Sequence, residues 1–187
     1  MVPWFPLLAF ENGRTQLTAR ARRVFARLPV AEGSPIQVRF VRDLTSHGQI
    51  HAGSLVRERR ILIETGLARN SADFARILVH ELFHFVWLRL GNPQRRDWEA
   101  LLAKEIAAHA SGELGWSAEW RKNALRLSDR RRRTRKWREY ACESFCDSAA
   151  WLFAGAREHP EFTLATRFRA RRRRWFEQSG ATSEIRL

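Results

Sequence analysis

The run Ile77-Leu78-Val79-His80-Glu81-Leu82-Phe83-His84-Phe85-Val86-Trp87 is apolar enough to be a buried helix, yet it carries two histidines and a glutamate. His80 and His84 stand four apart, so they share one helical face and both imidazoles can reach one point. Glu81 lies about 100° round from His80. Burying these three polar side chains among Leu, Phe, Val and Trp is costly unless something satisfies them. A zinc ion would satisfy them, and the H-E-x-x-H spacing suits it: two imidazole ligands, with a carboxylate near enough to take a proton from water on the metal. This feature constrains the fold most. The segment must run through the interior, and another part of the chain must supply a third ligand.

That ligand does not follow at once. Leu88-Arg89-Leu90-Gly91-Asn92-Pro93 holds no histidine at the spacing of the extended H-E-x-x-H-x-x-G-x-x-H motif, and Gly91 and Pro93 predict the end of the helix. The stronger candidate is the later segment Glu139-Tyr140-Ala141-Cys142-Glu143-Ser144-Phe145-Cys146-Asp147-Ser148-Ala149-Ala150-Trp151-Leu152-Phe153. It has helical periodicity, with Ala141, Phe145, Ala149 and Leu152 on one stripe and Glu143 and Asp147 beside it. An acid at position 147 among Phe145, Cys146, Ala149 and Ala150 needs a partner, and a metal-bound histidine is one, because ligating imidazoles usually donate their other N–H to a carboxylate.

The two segments together resemble the gluzincin superfamily of zinc metallopeptidases. Its members place H-E-x-x-H on one helix and a Glu ligand on a later one, often with Asp four residues further on. The resemblance implies one Zn2+ per chain held by His80, His84 and Glu143. It also implies Asp147 supporting a ligating histidine, Glu81 as general base on a zinc-bound water, and a peptide or protein substrate. Cys142 and Cys146 stand where the thermolysin-type pattern has Asn and Ser, so the likeness is to the superfamily rather than to that family. Glu139, one turn before Glu143, is a rival third ligand; Glu143 is preferred because it alone has an Asp at i+4. His109 is a further candidate, as an alternative ligand or on the substrate side. Tyr140, the only tyrosine, is three residues before Glu143. It is read either as a hydrogen-bond donor to a reaction oxyanion or as a packing aromatic with its hydroxyl at the helix surface. His47, His51 and His159 are assigned no role.

Composition sets the remaining bounds. A chain of 187 residues, 44% hydrophobic, with 8 Trp and 12 Phe, can form a single domain with a real core. Cys142 and Cys146, one turn apart on one helix, are poorly placed for a disulfide and read as small core residues. The apolar start, residues 1–10, lacks a basic leader region and is followed at once by Glu11, which predicts neither a signal peptide nor a membrane span and makes the cytoplasm the default. The net charge is +14, and Arg outnumbers Lys 31 to 3. The arginines gather at 130–138 and 167–174. Such blocks can grip a polyanion, but no zinc-finger spacing or RNP motif accompanies them, so nucleic acid is a less favoured partner.

Along the chain, the pattern predicts a helix over 14–28 and a strand over 36–42. Two further strands, Ile50 to Val56 and Arg60 to Glu64, follow, and Asn70 or Ser71 caps the H-E-x-x-H helix. Helices are expected over 94–110, 117–128, about 137–154 and about 161–178. The block Arg130 to Arg135 reads as a mobile connection and the tail 179–187 as frayed. The resulting fold class is α+β and zincin-like: a small sheet of about three strands on the H-E-x-x-H helix, then a mostly helical C-terminal half. The resemblance also implies that the strand Arg60 to Glu64 lies at a sheet edge, where an extended substrate could pair with it. The reading in competition is a non-catalytic or regulatory zinc protein that binds nucleic acid or an acidic partner through its Arg blocks.

Overall fold

The computed structural model describes residues 7–11, 15–26, 28, 31–44, 51–156, 158–180 and 185–187. The elements run β1 (Leu8–Glu11), α1 (Thr15–Phe25), β2 (Ala31–Glu32), β3 (Ile36–Val41), β4 (Ala52–Leu55), β5 (Arg60–Glu64) and α2 (Ser71–Arg89). There follow α3 (Asn92–Ala107), α4 (Trp116–Asn123), α5 (Leu127–Arg132), α6 (Arg135–Phe153), α7 (Thr166–Gln178) and β6 (Ile185–Arg186). The class is α+β. The main sheet has the order β1-β3-β5-β4, parallel except for β4, which runs antiparallel to β5. No helix among the described residues is long and apolar enough to cross a membrane.

The strand pattern accounts for the burial. In β3 and β5 every second residue is apolar, and Ile36, Val38, Ile61 and Ile63 are fully buried. This face packs on α2, which also packs on α6. α2 starts where Asn70 Oδ1 accepts the backbone N–H of Ala72 at 3.0 Å, and it carries Asp73 in its first turn and Arg89 in its last, both suited to the helix dipole. From Phe74 to Trp87 only Ile77 and His84 escape burial. Behind α2 and α6 an aromatic cluster joins Phe83, Phe145, Trp98, Trp175 and Phe176, with Phe145 and Phe176 stacked at 5.1 Å. Such rings bury about 150–250 Å² each and fix the angle at which the two site helices meet.

Several expectations need correction. The strand Arg60–Glu64 is not an edge: it lies between β3 and β4, and β4 carries the outer position. Alternation identifies the two faces of a strand but not its neighbours. The predicted helix over 117–128 is two, α4 and α5, separated at Ala124 to Arg126. The block Arg130 to Arg135 is not a connection throughout: it holds the end of α5 and the start of α6. Its Arg133 takes a left-handed conformation, φ 50°, after α5 and donates to buried Glu99 at 2.7 Å. At the end of the tail β6 pairs with β2 and Leu187 is buried. The strand β1 was not anticipated in the apolar start. Residues 1–6, His47, Gly48, Ile50 and 181–184 lie outside the described residues.

Candidate metal centre

α2 and α6 cross so that His80, His84 and Glu143 converge. His80 Nε2 lies 3.2 Å from Glu143 Oε2 and 3.2 Å from His84 Nε2. One donor atom from each of the three falls within 4.8 Å of the others. Two imidazole nitrogens and one carboxylate oxygen, from an i, i+4 pair and a second helix, are a donor set that could hold a metal ion. His80 and Glu81 are each 8% exposed, so a cation here would sit where the surrounding apolar side chains restrict water.

Each ligand candidate is held from behind. The other ring nitrogen of His80, Nδ1, meets Asp147 Oδ1 at 2.7 Å, and Asp147 Oδ2 accepts the backbone N–H of Ala118 at 3.1 Å. Asp147 thus fixes the His80 ring and the first turn of α4 together. Gly115, which precedes α4, makes this possible: a Cβ there would meet the Asp147 carboxylate at 2.3 Å. His84 Nδ1 faces Cys142 Sγ at 3.5 Å, so a thiol does for His84 what a carboxylate does for His80. Glu143 Oε1 pairs with Arg121 Nη2 at 3.3 Å. Glu81 accepts a 2.6 Å hydrogen bond at Oε2 from the Ser54 hydroxyl, which reaches across from β4.

The charges favour a cation. Burial works against a charge on His80, but the Asp147 carboxylate and Glu143 outweigh it and raise its proton affinity well above that of an ordinary imidazole. Burial would raise the Glu143 carboxyl; its bond to His80 and the charges of both imidazoles and Arg121 instead hold it at about 2. The Cys142 thiol is drawn down to about 6, first by its hydrogen bond with Cys146 and then, against burial, by His84. The Glu143 carboxylate is ionised at neutral pH, and the carboxylates around His80 make its surroundings favourable to positive charge, so a divalent ion would replace the imidazole protons on binding.

Asp147→Ala is expected to lower zinc affinity about 10–100-fold while keeping the helices, because His80 loses the partner that sets its tautomer and ring orientation. A competition titration against a chromophoric chelator measures this; an unchanged affinity would remove Asp147 from the site.

The structure separates the remaining candidates. Glu139 points away, pairing with Arg135 at 2.6 Å on an exposed turn, so Glu143 and not Glu139 reaches the histidines. His109 is exposed, in a left-handed turn after α3 at φ 53°, outside the cluster. Tyr140 is fully buried with its hydroxyl inside, donating to Glu113 at 2.6 Å rather than facing His80. Ser54, Arg121 and Gly115 carried no local signal in the sequence, because their roles arise only once β4 and α4 fold over α2 and α6.

A cleft of about 300 Å³ opens beside the cluster, lined by residues that include Ala52, Ile77, His80, Glu81, Trp116 and Asp147. Part of each arginine block is tied into the fold, while Arg131, Arg132, Arg138, Arg167 and Arg174 are exposed. Arg133 pairs with Glu99, Arg169 donates to the carbonyls of Phe162 and Leu164, Arg173 lies over Trp151, and Arg172 is fully buried. Comparison with known protein families, curated proteins and solved structures finds no match for this chain.

Proposed function

We propose that the protein is a zinc-dependent peptidase of the gluzincin type, with a zincin-like arrangement of sheet and site helices. The observation that carries this reading is the convergence of His80 Nε2, His84 Nε2 and Glu143 Oε2 from two helices, with Glu81 adjoining. His80, His84 and Glu143 would hold the ion. Zinc bound there supplies a Lewis acid for the scissile carbonyl and lowers the pKa of water toward neutrality. Glu81 takes the proton from the attacking water and delivers it to the leaving amine. Ser54 binds Oε2 of that carboxylate and leaves Oε1 for the transfer. Asp147 keeps the His80 ring in place through the reaction. β4 supports the same reading: it is the outer strand of its sheet and touches Glu81 through Ser54, so an extended peptide added along it would pass the site.

Protein purified without chelator is expected to contain one zinc per chain, and His80→Ala or His84→Ala should abolish tight binding together with hydrolysis of unfolded proteins and peptides. Elemental analysis checks the first, and a substrate panel the second. Protein free of zinc, or His variants that keep it, would overturn the reading. Zinc-loaded protein with no hydrolysis across the panel would favour a non-catalytic role.

A further inference from the structure

The α6 helix carries a second pair of donors at i, i+4, interleaved with Glu143 and Asp147. Cys142 and Cys146 are free thiols, the first half-buried and the second fully buried. Side chains four apart share a helical face, by the same geometry that brings His80 and His84 together on α2. His84 lies opposite this pair. Its Nε2 is turned to His80 at 3.2 Å and its Nδ1 to Cys142 Sγ at 3.5 Å. One donor atom from each of His84, Cys142 and Cys146 lies within 4.8 Å of the others, as compact a group as His80, His84 and Glu143. The two groups have only His84 in common, whose Nε2 faces His80 and whose Nδ1 faces Cys142.

We propose that His84 Nδ1, Cys142 and Cys146 form a second metal position, selective for a soft cation such as Cd2+ or Cu+. Two sulfurs and one imidazole prefer such ions over Mg2+ or Ca2+, whereas the first position, with two imidazoles and a carboxylate, is harder. Binding forms two metal–sulfur bonds and one metal–nitrogen bond; the two thiol protons and any proton on Nδ1 leave to solvent, and no electron is transferred. Both thiolates together balance the charge of a divalent ion, which suits a place where Cys146 has no contact with water. The inference rests on the peptidase reading only in that both use His84, and it holds for a protein with no hydrolytic activity.

The test is a Cd2+ titration of reduced protein already carrying one equivalent of Zn2+. It follows sulfur-to-metal charge-transfer absorption in the ultraviolet and bound metal by elemental analysis. Wild type should take up a second equivalent, accompanied by the charge-transfer band. Cys146→Ala and Cys146→Ser should each lose the band and the second equivalent while keeping the first, with circular dichroism confirming the fold. His80→Ala should lose the first equivalent and retain the band; His84→Ala should lose both. The proposal fails if wild type shows no band at saturating Cd2+, or if the band survives Cys146→Ala. It fails equally if the band disappears in His80→Ala, since the thiols would then belong to the first position. Failure of the first position alone reads differently, as a normal band with His80→Ala leaving the metal content unchanged.

Discussion

Glu81→Gln is expected to keep the fold and one zinc per chain while peptide hydrolysis falls by a factor on the order of 10²–10⁴ or more, the usual contribution of a positioned general base. The substitution is nearly isosteric. The glutamine carbonyl can still accept the Ser54 hydroxyl, now at 2.6 Å from Glu81 Oε2, so the tie between β4 and α2 need not be lost. What disappears is the ability to accept a proton. The loss should appear in kcat and in kcat/KM alike, because the proton is taken only on the way to the transition state. Elemental analysis beside steady-state kinetics distinguishes the outcomes. Zinc lost with activity would make Glu81 a ligand, and activity retained would place the base elsewhere.

Arg172→Met should destabilise the protein by about 3–5 kcal/mol, the usual cost of leaving buried charge without its partner. Arg172 is fully buried and donates to Glu105 at 2.7 Å, to Glu113 at 2.7 Å and to Ser148 at 3.2 Å. Glu113 also accepts the Tyr140 hydroxyl and lies 3.3 Å from Lys122 Nζ. Without the guanidinium, two carboxylates remain in the interior with Lys122 as their chief cation. A urea unfolding midpoint, or a melting temperature reduced by on the order of 10 °C for a chain of this length, reads the effect. A change under about 1 kcal/mol would mean that the acids protonate or reach water at little cost. The same network ties stability to acid. Burial would raise the Glu113 carboxyl, but Arg172 outweighs it and holds it below the ordinary glutamate value. Its contribution is therefore complete above the unfolded-state value and is lost as pH falls through the lower folded one.

The parts of the site that were legible from sequence are those set by spacing within one helix. His80 and His84, and Glu143 with Asp147, are i, i+4 pairs, and the Asp at i+4 singled out Glu143, which lies beside His80, over Glu139, which pairs with Arg135. Tyr140 was harder. Its place three residues before Glu143 allowed either face, and its hydroxyl turns to Glu113, in the segment between α3 and α4. Arg172 was legible in principle, because Phe168, Arg172, Trp175 and Phe176 fall at i, i+4, i+7 and i+8, the spacing of a buried stripe. The surrounding run of arginines masked it. Sheet order was not legible at all: β5 has the alternation of a half-buried strand, and nothing in those five residues says that β4 covers its outer side.

The near-absence of a solvent face on α2 has a consequence for how such a chain can drift. Between Phe74 and Trp87 its two less buried residues are Ile77, which borders the cleft, and His84, which belongs to the cluster. Substitution there has almost no neutral territory: a change either disturbs close packing or touches the chemistry. Divergence would be channelled into outward turns such as those of α4, α5 and α7. Distant descendants would then be recognisable chiefly by the paired signatures of α2 and α6, in a background from which most other likeness had been erased.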